Sequence, residues 1–539
     1  MKFHQALFKA AAALLTLNLL LSFGNAWPTL WPSPAARISI ELAAIALVLS
    51  LCSLRGPLPR SLVVGTSLLV TASVILHYAN VTAPAVLGRT LDFYWDGQHV
   101  WQVLKMGTDD ASSAGLLGLA AGALVLVLGL IALQAVIRRC VLALGAGLQH
   151  RGVRTGVLSI AVLTLALWSL APRFAPPLQG AFAPSVAALV VTQAGMLERA
   201  LWYADDETLL GTSPHFDANL DALGGADVII VFAEAYGAIT LDKPEFAATL
   251  QPSRARFEAS IAASGRRVVS ARLRSPTFGG GSWLAHSELL SGLDMHDPNA
   301  YRLLLKTKRP TLVKHFAANG YRTIGWLPGI QRAWPEGRFY GFDRIADANA
   351  IAYRGPAFGY WRIPDQAAMA QLQHQELDGA NGTDGATRQP RLVVFPTMST
   401  HAPFRPLAPY VADWSTLLGA NAYTDAAALS ARTAPVSWDE PIPAYLAALR
   451  YQFDWLSGWL AEHAPRDAVV IVVGDHQPIG TVTGPDANWE VPVHVITRNQ
   501  RVLERLSTRG FKAGVRPAGP ALGPMRALTP LLIEAFARP

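Results

Sequence analysis

Five apolar runs, each close to the length of a membrane-crossing helix, occupy the first third of the chain: residues 7–23, 38–54, 62–79, 114–137 and 157–171. A helix needs roughly 20 mainly apolar residues to cross a bilayer, so the pattern predicts a membrane domain over residues 1–172 with about five transmembrane helices. Residues 80–113, between the third and fourth runs, carry Arg89, Asp92, Trp95, Asp96, His99 and Lys105 and predict a short interfacial helix anchored by aromatics, a lipid-headgroup dock being the alternative. Residues 173–223 start around the Pro-rich APRFAPP, show helical spacing near 197–203, and read as a juxtamembrane linker.

From residue 224 to 539 the pattern changes to short apolar runs alternating with helical spacing. VIIVF (228–232), YRTIGWL (321–327), LVVF (392–395) and VVIVV (469–473) predict buried strands, 311–319 and 444–462 predict helices, and DGANGTDGAT (378–387) predicts a loop. Continuous apolar strands alternating with helices predict a mostly parallel sheet covered by helices.

Composition adds to the membrane reading: 51% of the residues are hydrophobic and only 15% charged, too apolar for a wholly soluble chain of this length. Lys2 and Lys9, Arg55 and Arg60, and Arg138, Arg139, Arg151 and Arg154 fall in alternate loops. Their shared side is expected to be cytoplasmic, and after an odd number of crossings residues beyond 172 are exported. The first run, preceded by Lys2, is expected to remain as an uncleaved anchor because further runs follow it. The formal charge of +7 owes much to these loops and makes no case for nucleic acid. Both cysteines, Cys52 and Cys140, lie in the membrane part, so the exported domain must hold together without disulfides.

In an open α/β sheet the ligand site lies outside the carboxyl ends of the strands. There the first strand runs into Glu234 (AEAY) and the last into Asp475 and His476 (VVGDHQP). A lone carboxylate or an Asp-His pair is as often structural as functional; together they make a donor set suited to zinc or manganese, with magnesium also compatible. The stretch SPTFGGGSWLAHSELLSG (275–292) sets Ser282 between three glycines and a helix start, where backbone N–H groups and the helix dipole favour an anion. Serine is a weak nucleophile until a base or a metal activates it; here the ion held by Glu234, Asp475 and His476 can also bind Ser282. Thr277 is the rival hydroxyl in the same loop. His401, in STHAPF after LVVF, is placed to orient substrate or protonate a leaving group, although a single loop histidine is more often incidental.

These residues resemble the alkaline phosphatase and sulfatase superfamily over 227–497. Sulfatases carry C/S-x-P-x-R followed by a Leu-Leu-Thr-Gly-like helix. Here Ser282 is followed at that spacing by Leu289, Leu290, Ser291 and Gly292, which selects Ser282 over Thr277. FAEAYG, HFAANGYRTIGW, RFYGFDRI, STHAPF and VVGDHQP resemble further family segments. The Pro and Arg of the sulfatase signature are replaced by Leu284 and His286, so the resemblance is nearer to membrane-anchored phosphotransferases: lipoteichoic acid synthases and phosphoglycerol and phosphoethanolamine transferases. Those enzymes commonly use Thr where this chain has Ser. Absence of cysteine from the exported part favours the phosphoglycerol type. The resemblance implies an exported α/β domain of alkaline phosphatase/sulfatase type behind a polytopic α-helical membrane domain. It also implies one divalent metal ion on Glu234, Ser282, Asp475 and His476, His401 as the substrate histidine, and Trp334 and Arg338 as substrate-binding residues. The implied activity is transfer of a phospholipid headgroup to a glycan or lipid hydroxyl in the cell envelope through a phosphoserine, with the chain in the bacterial inner membrane. A membrane-anchored hydrolase (phosphodiesterase or sulfatase) and a catalytically silent scaffold remain as alternatives.

Overall fold

The computed structural model describes residues 2–108, 113–174, 176–202, 206–378, 388–436 and 440–538. Most of the loop expected at 378–387, and residue 203 of the expected linker helix, lie outside them. The chain divides into two compact units, Met1–Glu198 and Arg199–Pro539, so the segment read as a linker is shared between them.

The first unit is helical: α1 (Lys2–Ser22), α2 (Ile40–Cys52), α3 (Arg60–Leu87), α4 (Phe93–Thr108), α5 (Ser113–Gly147), α6 (Arg151–Phe174) and α7 (Val186–Trp202), the last crossing into the second unit. A two-residue ladder joins β1 (Gly24–Asn25) to β2 (Pro32–Ser33). Among the described residues four helices are long and apolar enough to cross a membrane by length and composition: Phe3–Ser22, Arg60–Leu87, Gly115–Gly147 and Arg151–Phe174. The second expected span corresponds to α2, which is shorter than these four. Ser39 caps α2 at its start, accepting from Leu42 N, and a 3-10 turn, Ser53–Arg55, ends it after 13 residues. That is about 20 Å of helix against a hydrocarbon core of ~30 Å.

Even so, α2 runs between the same two ends of the bundle as its neighbours. At one end the basic loops meet: Phe3 packs edge-on against His150 at 6.2 Å, Gln149 Nε2 donates to the Gly56 carbonyl (3.4 Å), and Arg154 donates to the Ser53 carbonyl (3.4 Å). At the other, Ser39 N donates to Asn18 Oδ1 (2.9 Å), Ile38 N to the Ala181 carbonyl (2.9 Å), and the His77 ring meets the Phe23 carbonyl (2.8 Å). Within the segment expected to form an interfacial helix, residues Phe93–Thr108 are helical (α4), and the approach to it is fixed by the Arg89–Asp96 pair at 2.6 Å.

The second unit is built on one eight-stranded sheet: β3 (Val228–Ala233), β4 (Arg267–Arg274), β5 (Arg322–Trp326), β6 (Arg344–Ala346), β7 (Arg391–Pro396), β8 (Val469–Gly474), β9 (Glu490–Thr497) and β10 (Lys512–Ala513). Their order is β10-β4-β9-β8-β3-β7-β5-β6, parallel from β8 to β6 and antiparallel from β8 to β10. Strands β3 and β8 are buried at every residue because both faces are covered, which is why they appear as unbroken apolar runs. α8 (Ile239–Asp242) leads into α9 (Pro244–Ala263), which with the helix Ile442–Glu462 contributes Phe246, Phe257, Tyr445 and Trp459 to the core on one face. α10 (Ser282–Ser291) contributes Leu284, Leu289 and Leu290 to the core on the other.

One buried polar chain crosses this core. His494 of β9 faces Ser270 of β4 in register; its Nδ1 meets Ser270 Oγ at 2.7 Å and its Nε2 meets Tyr236 Oη at 3.1 Å, while Ser270 donates to the Gly514 carbonyl at 2.6 Å. A neutral imidazole, donating from Nδ1 and accepting at Nε2, satisfies every partner. Burial, reinforced by Arg254, lowers the His494 pKa from 6.5 to about 3. In the unfolded chain the same histidine takes a proton near pH 6.5, which the folded unit refuses until about pH 3. Its stabilising contribution is therefore complete above pH 6.5 and falls as the pH drops, by up to about 1.4 kcal/mol per pH unit. Urea unfolding of the full chain in detergent at pH 7 and pH 5 is expected to show this decline, and His494→Asn to flatten it; an unchanged slope in the variant would contradict the assignment.

Candidate active site and metal centre

The β3–β8 register pairs Ala233 with Gly474, so the next residues, Glu234 and Asp475, leave the sheet side by side. A Cβ on Gly474 would lie 2.0 Å from the Tyr236 carbonyl oxygen, so only glycine permits this approach. Immediately after Glu234, Ala235 adopts φ 52°, a strained conformation for a residue with a side chain. There its N–H donates to Asp475 Oδ1 (2.8 Å), which also accepts from His476 N (2.7 Å). The loop after β7 closes the other side: Glu234 N donates to Thr397 Oγ1 (3.0 Å) and Thr400 Oγ1 donates to the Glu234 carbonyl (2.6 Å). Asp365 secures that loop by accepting from Met398 N (2.7 Å) and Ser399 N (2.9 Å). Burial pushes its carboxyl up to about 6, against these hydrogen bonds.

Ser282 arrives from the end of β4 through the glycine run. Gly279, Gly280 and Gly281 all have positive φ (64°, 143° and 77°), and Gly281 caps α10 so that Ser282 is its first residue. Leu289, Leu290, Ser291 and Gly292 form the buried end of this helix, with Ser291 bonded to the Ser287 carbonyl (2.6 Å) and Gly292 at φ 69° as its cap. Ser282 Oγ donates to Glu234 Oε2 at 3.0 Å and lies 3.1 Å from His476 Nε2. Thr277 is committed elsewhere, its hydroxyl donating to the Gly280 carbonyl at 2.5 Å.

The structure thus brings together Ser282, Glu234, Asp475 and His476. Ligand atoms of the last three lie within 4.8 Å of one another, and all three residues are buried. His476 meets the Gln477 carbonyl through Nδ1 (2.7 Å), which places a proton there and turns Nε2 toward the site, where a cation would displace any proton it carries. Asp475 Oδ2 is buried without a hydrogen-bond partner, a costly arrangement for a carboxylate oxygen. Burial alone would lower the His476 pKa, but the Asp475 and Glu234 carboxylates raise it to about 9; burial would raise Asp475, but His476 and His286 hold it well below the carboxylate range. Two carboxylates that draw a proton onto a buried imidazole make a site that seeks positive charge. Its two carboxylates, imidazole and hydroxyl fit a hard-to-borderline divalent cation.

The remaining expected residues stand apart from these four. His401 bonds the Ala402 carbonyl through Nδ1 (2.7 Å) and packs on Trp361 at 4.6 Å; among the described residues it makes no hydrogen bond to the four. It reaches them through its neighbour Thr400, which holds Glu234. Trp334 stacks on Tyr340 (5.7 Å, 25°), and Tyr340 Oη meets Ser287 of α10 at 2.6 Å, so Trp334 is coupled to the nucleophile's helix rather than to its loop. Arg338 is exposed on the 3-10 turn Pro335–Phe339. Thr397, Thr400 and Asp365 were not foreseen, since they act through backbone groups and carry no motif. His286, met in the sequence only as a departure from the sulfatase arginine, lies 3.8 Å from Asp475 Oδ2.

Residues 275–495 match the sulfatase family model. The chain carries a sulfatase-family domain. The matched residues contain Ser282, His401, Asp475 and His476; Glu234 precedes them, directly after β3. Among solved structures, the chain is similar to the lipoteichoic acid synthase LtaP from Listeria monocytogenes (13% identity, TM-score 0.31, covering 55% of this chain and 70% of that one). It is also similar to an alkaline phosphatase superfamily protein from Vibrio parahaemolyticus (16%, 0.32, covering 56% and 68%). A third is the Streptococcus pyogenes phosphoglycerol transferase GacH in complex with sn-glycerol-1-phosphate (12%, 0.32, covering 64% and 91%). No curated protein matches the chain.

Proposed function

We propose that this chain is a metal-dependent phosphotransferase that moves a phospholipid headgroup, phosphoglycerol or phosphoethanolamine, to a hydroxyl of a cell-envelope glycan or lipid through a phosphoserine at Ser282. The observation that carries this reading is the Ser282 hydroxyl at the start of α10, 3.0 Å from Glu234 and 3.1 Å from His476. Leu284 and His286 in place of the sulfatase Pro and Arg support a plain serine nucleophile. Four membrane-length helices support a lipid donor. The positively charged loops gather at one end of the bundle and α6 delivers the chain at the other. By the positive-inside rule, the second unit then lies outside the cytoplasm of a bacterial inner membrane.

The steps follow from the side chains. Ser282 Oγ attacks phosphorus as Glu234 Oε2 takes its proton; the P–O bond to diacylglycerol breaks, and His401 orients the substrate or protonates the departing alkoxide. An acceptor hydroxyl then attacks the phosphoserine and gives its proton to His401, the Ser282 Oγ–P bond breaks, and Glu234 returns the proton to Ser282. Trp334 and Arg338 are assigned to the transferred group. A divalent ion on Glu234, Ser282, Asp475 and His476, manganese or zinc with magnesium also compatible, would activate the hydroxyl and offset phosphate charge.

Mass spectrometry of the Ser282 peptide after exposure of the purified chain to phosphatidylglycerol and phosphatidylethanolamine is expected to show a mass addition that identifies the group. Diacylglycerol release should rise with added acceptor. Release at the same rate without acceptor would make the chain a hydrolase, and an adduct on Thr277 would refute the nucleophile.

A further inference from the structure

His286 has no role in the steps above, yet its position is hard to explain as packing alone. It sits four residues after Ser282, on the same face of α10. Its ring lies against Phe232 of β3, with centroids 4.2 Å apart and planes tilted by 40°. Its Nε2 is buried with no hydrogen-bond partner, and the nearest carboxylate oxygen, Asp475 Oδ2 at 3.8 Å, is likewise buried and unpartnered. Two complementary polar atoms left bare in the same pocket each carry a desolvation cost. Their separation exceeds hydrogen-bond reach by only about 0.6 Å.

Both oxygens of Asp475 are then accounted for by chemistry. Oδ1 is spent on Ala235 N and His476 N, so Oδ2 is the atom left for a cation. A carboxylate oxygen has two lone pairs and can serve a metal ion and a donor together. His286 is not within the group of mutually close donors formed by Glu234, Asp475 and His476, which makes it a partner of the ligand rather than a ligand.

We infer that His286 is a positioning residue, whose Nε2–H fixes Asp475 Oδ2 in the orientation that binds the divalent cation. The inference rests on the metal-dependent reading above. Such outer contacts orient the ligand and raise its basicity, and losing one typically weakens metal binding by about 10–100-fold. Imidazole suits the place because, when neutral, it supplies a donor without adding a second fixed positive charge next to the cation.

The test is calorimetric titration of the full chain in detergent with manganese and with zinc. His286→Phe keeps a ring against Phe232 but has no donor and is expected to lose about 10–100-fold in affinity. His286→Gln, which returns an N–H, is expected to recover most of that loss. Equal metal-free melting temperatures for the two variants establish that the difference is in the site and not in folding. Wild-type affinity in His286→Phe, or a loss in His286→Gln as large as in His286→Phe, would overturn the assignment of His286. A wild-type chain that binds neither ion would instead overturn the metal-dependent reading, and the inference with it.

Discussion

Ser282→Ala is expected to abolish both headgroup transfer and the covalent adduct, lowering turnover by about 10⁴-fold or more, as loss of an activated nucleophile does. The fold should survive. Ser282 is the first residue of α10, its cap is Gly281, and the side chain points into the site rather than into the core. Thr277 cannot substitute, because its hydroxyl is held by the Gly280 carbonyl within the loop. Ser282→Thr retains the hydroxyl at the same atom and is expected to stay within about 10-fold of wild type, the added methyl costing a packing adjustment. Diacylglycerol release and adduct formation, measured side by side, decide the matter: Ser282→Ala with more than a few per cent of wild-type turnover would rule out a serine nucleophile.

Gly474→Ala is the second change with a large expected effect, this time on both stability and metal binding. The added methyl would meet the Tyr236 carbonyl oxygen at 2.0 Å and Val491 Cβ at 3.1 Å. A backbone oxygen cannot rotate away as a flexible side chain would, and β8 is locked between β3 and β9. Relief must come from parting the ends of β3 and β8, which is the motion that separates Glu234 from Asp475. Overpacking of this kind costs about 3 kcal/mol, seen as a lower denaturant midpoint together with weakened metal affinity. A variant with the wild-type midpoint would mean that the strand ends have slack, and that their register does not set the carboxylate spacing.

The parallel half of the sheet and its chemistry were legible because both rest on local signals. β3, β7 and β8 are short, continuous apolar runs, and Glu234, Asp475 and His476 follow two of them directly. The antiparallel half was not. Ser270 and His494 interrupt β4 and β9 with polar residues, and only the cross-strand register shows that each satisfies the other. In the membrane unit the apolar run over 38–54 extends beyond its helix, which the Ser39 cap and the turn at Ser53 limit to 13 residues. The residues that brace the site, Thr397, Thr400, Asp365 and His286, come from a loop and from helix positions whose partners lie far away in sequence. No spacing rule reaches them.

The margins of the sheet bear on how the second unit avoids other chains. β10 pairs only two residues with β4, and β6 only three with β5. A long bare margin is a template on which another polypeptide can add a strand; a short one offers few free N–H and C=O groups. Neither Cys52 nor Cys140 belongs to this unit, so no crosslink can hold its strands in place while the sheet assembles. Brevity at both margins then limits the template each offers, and lengthening β10 by apolar residues would make the unit more prone to edge-to-edge aggregation.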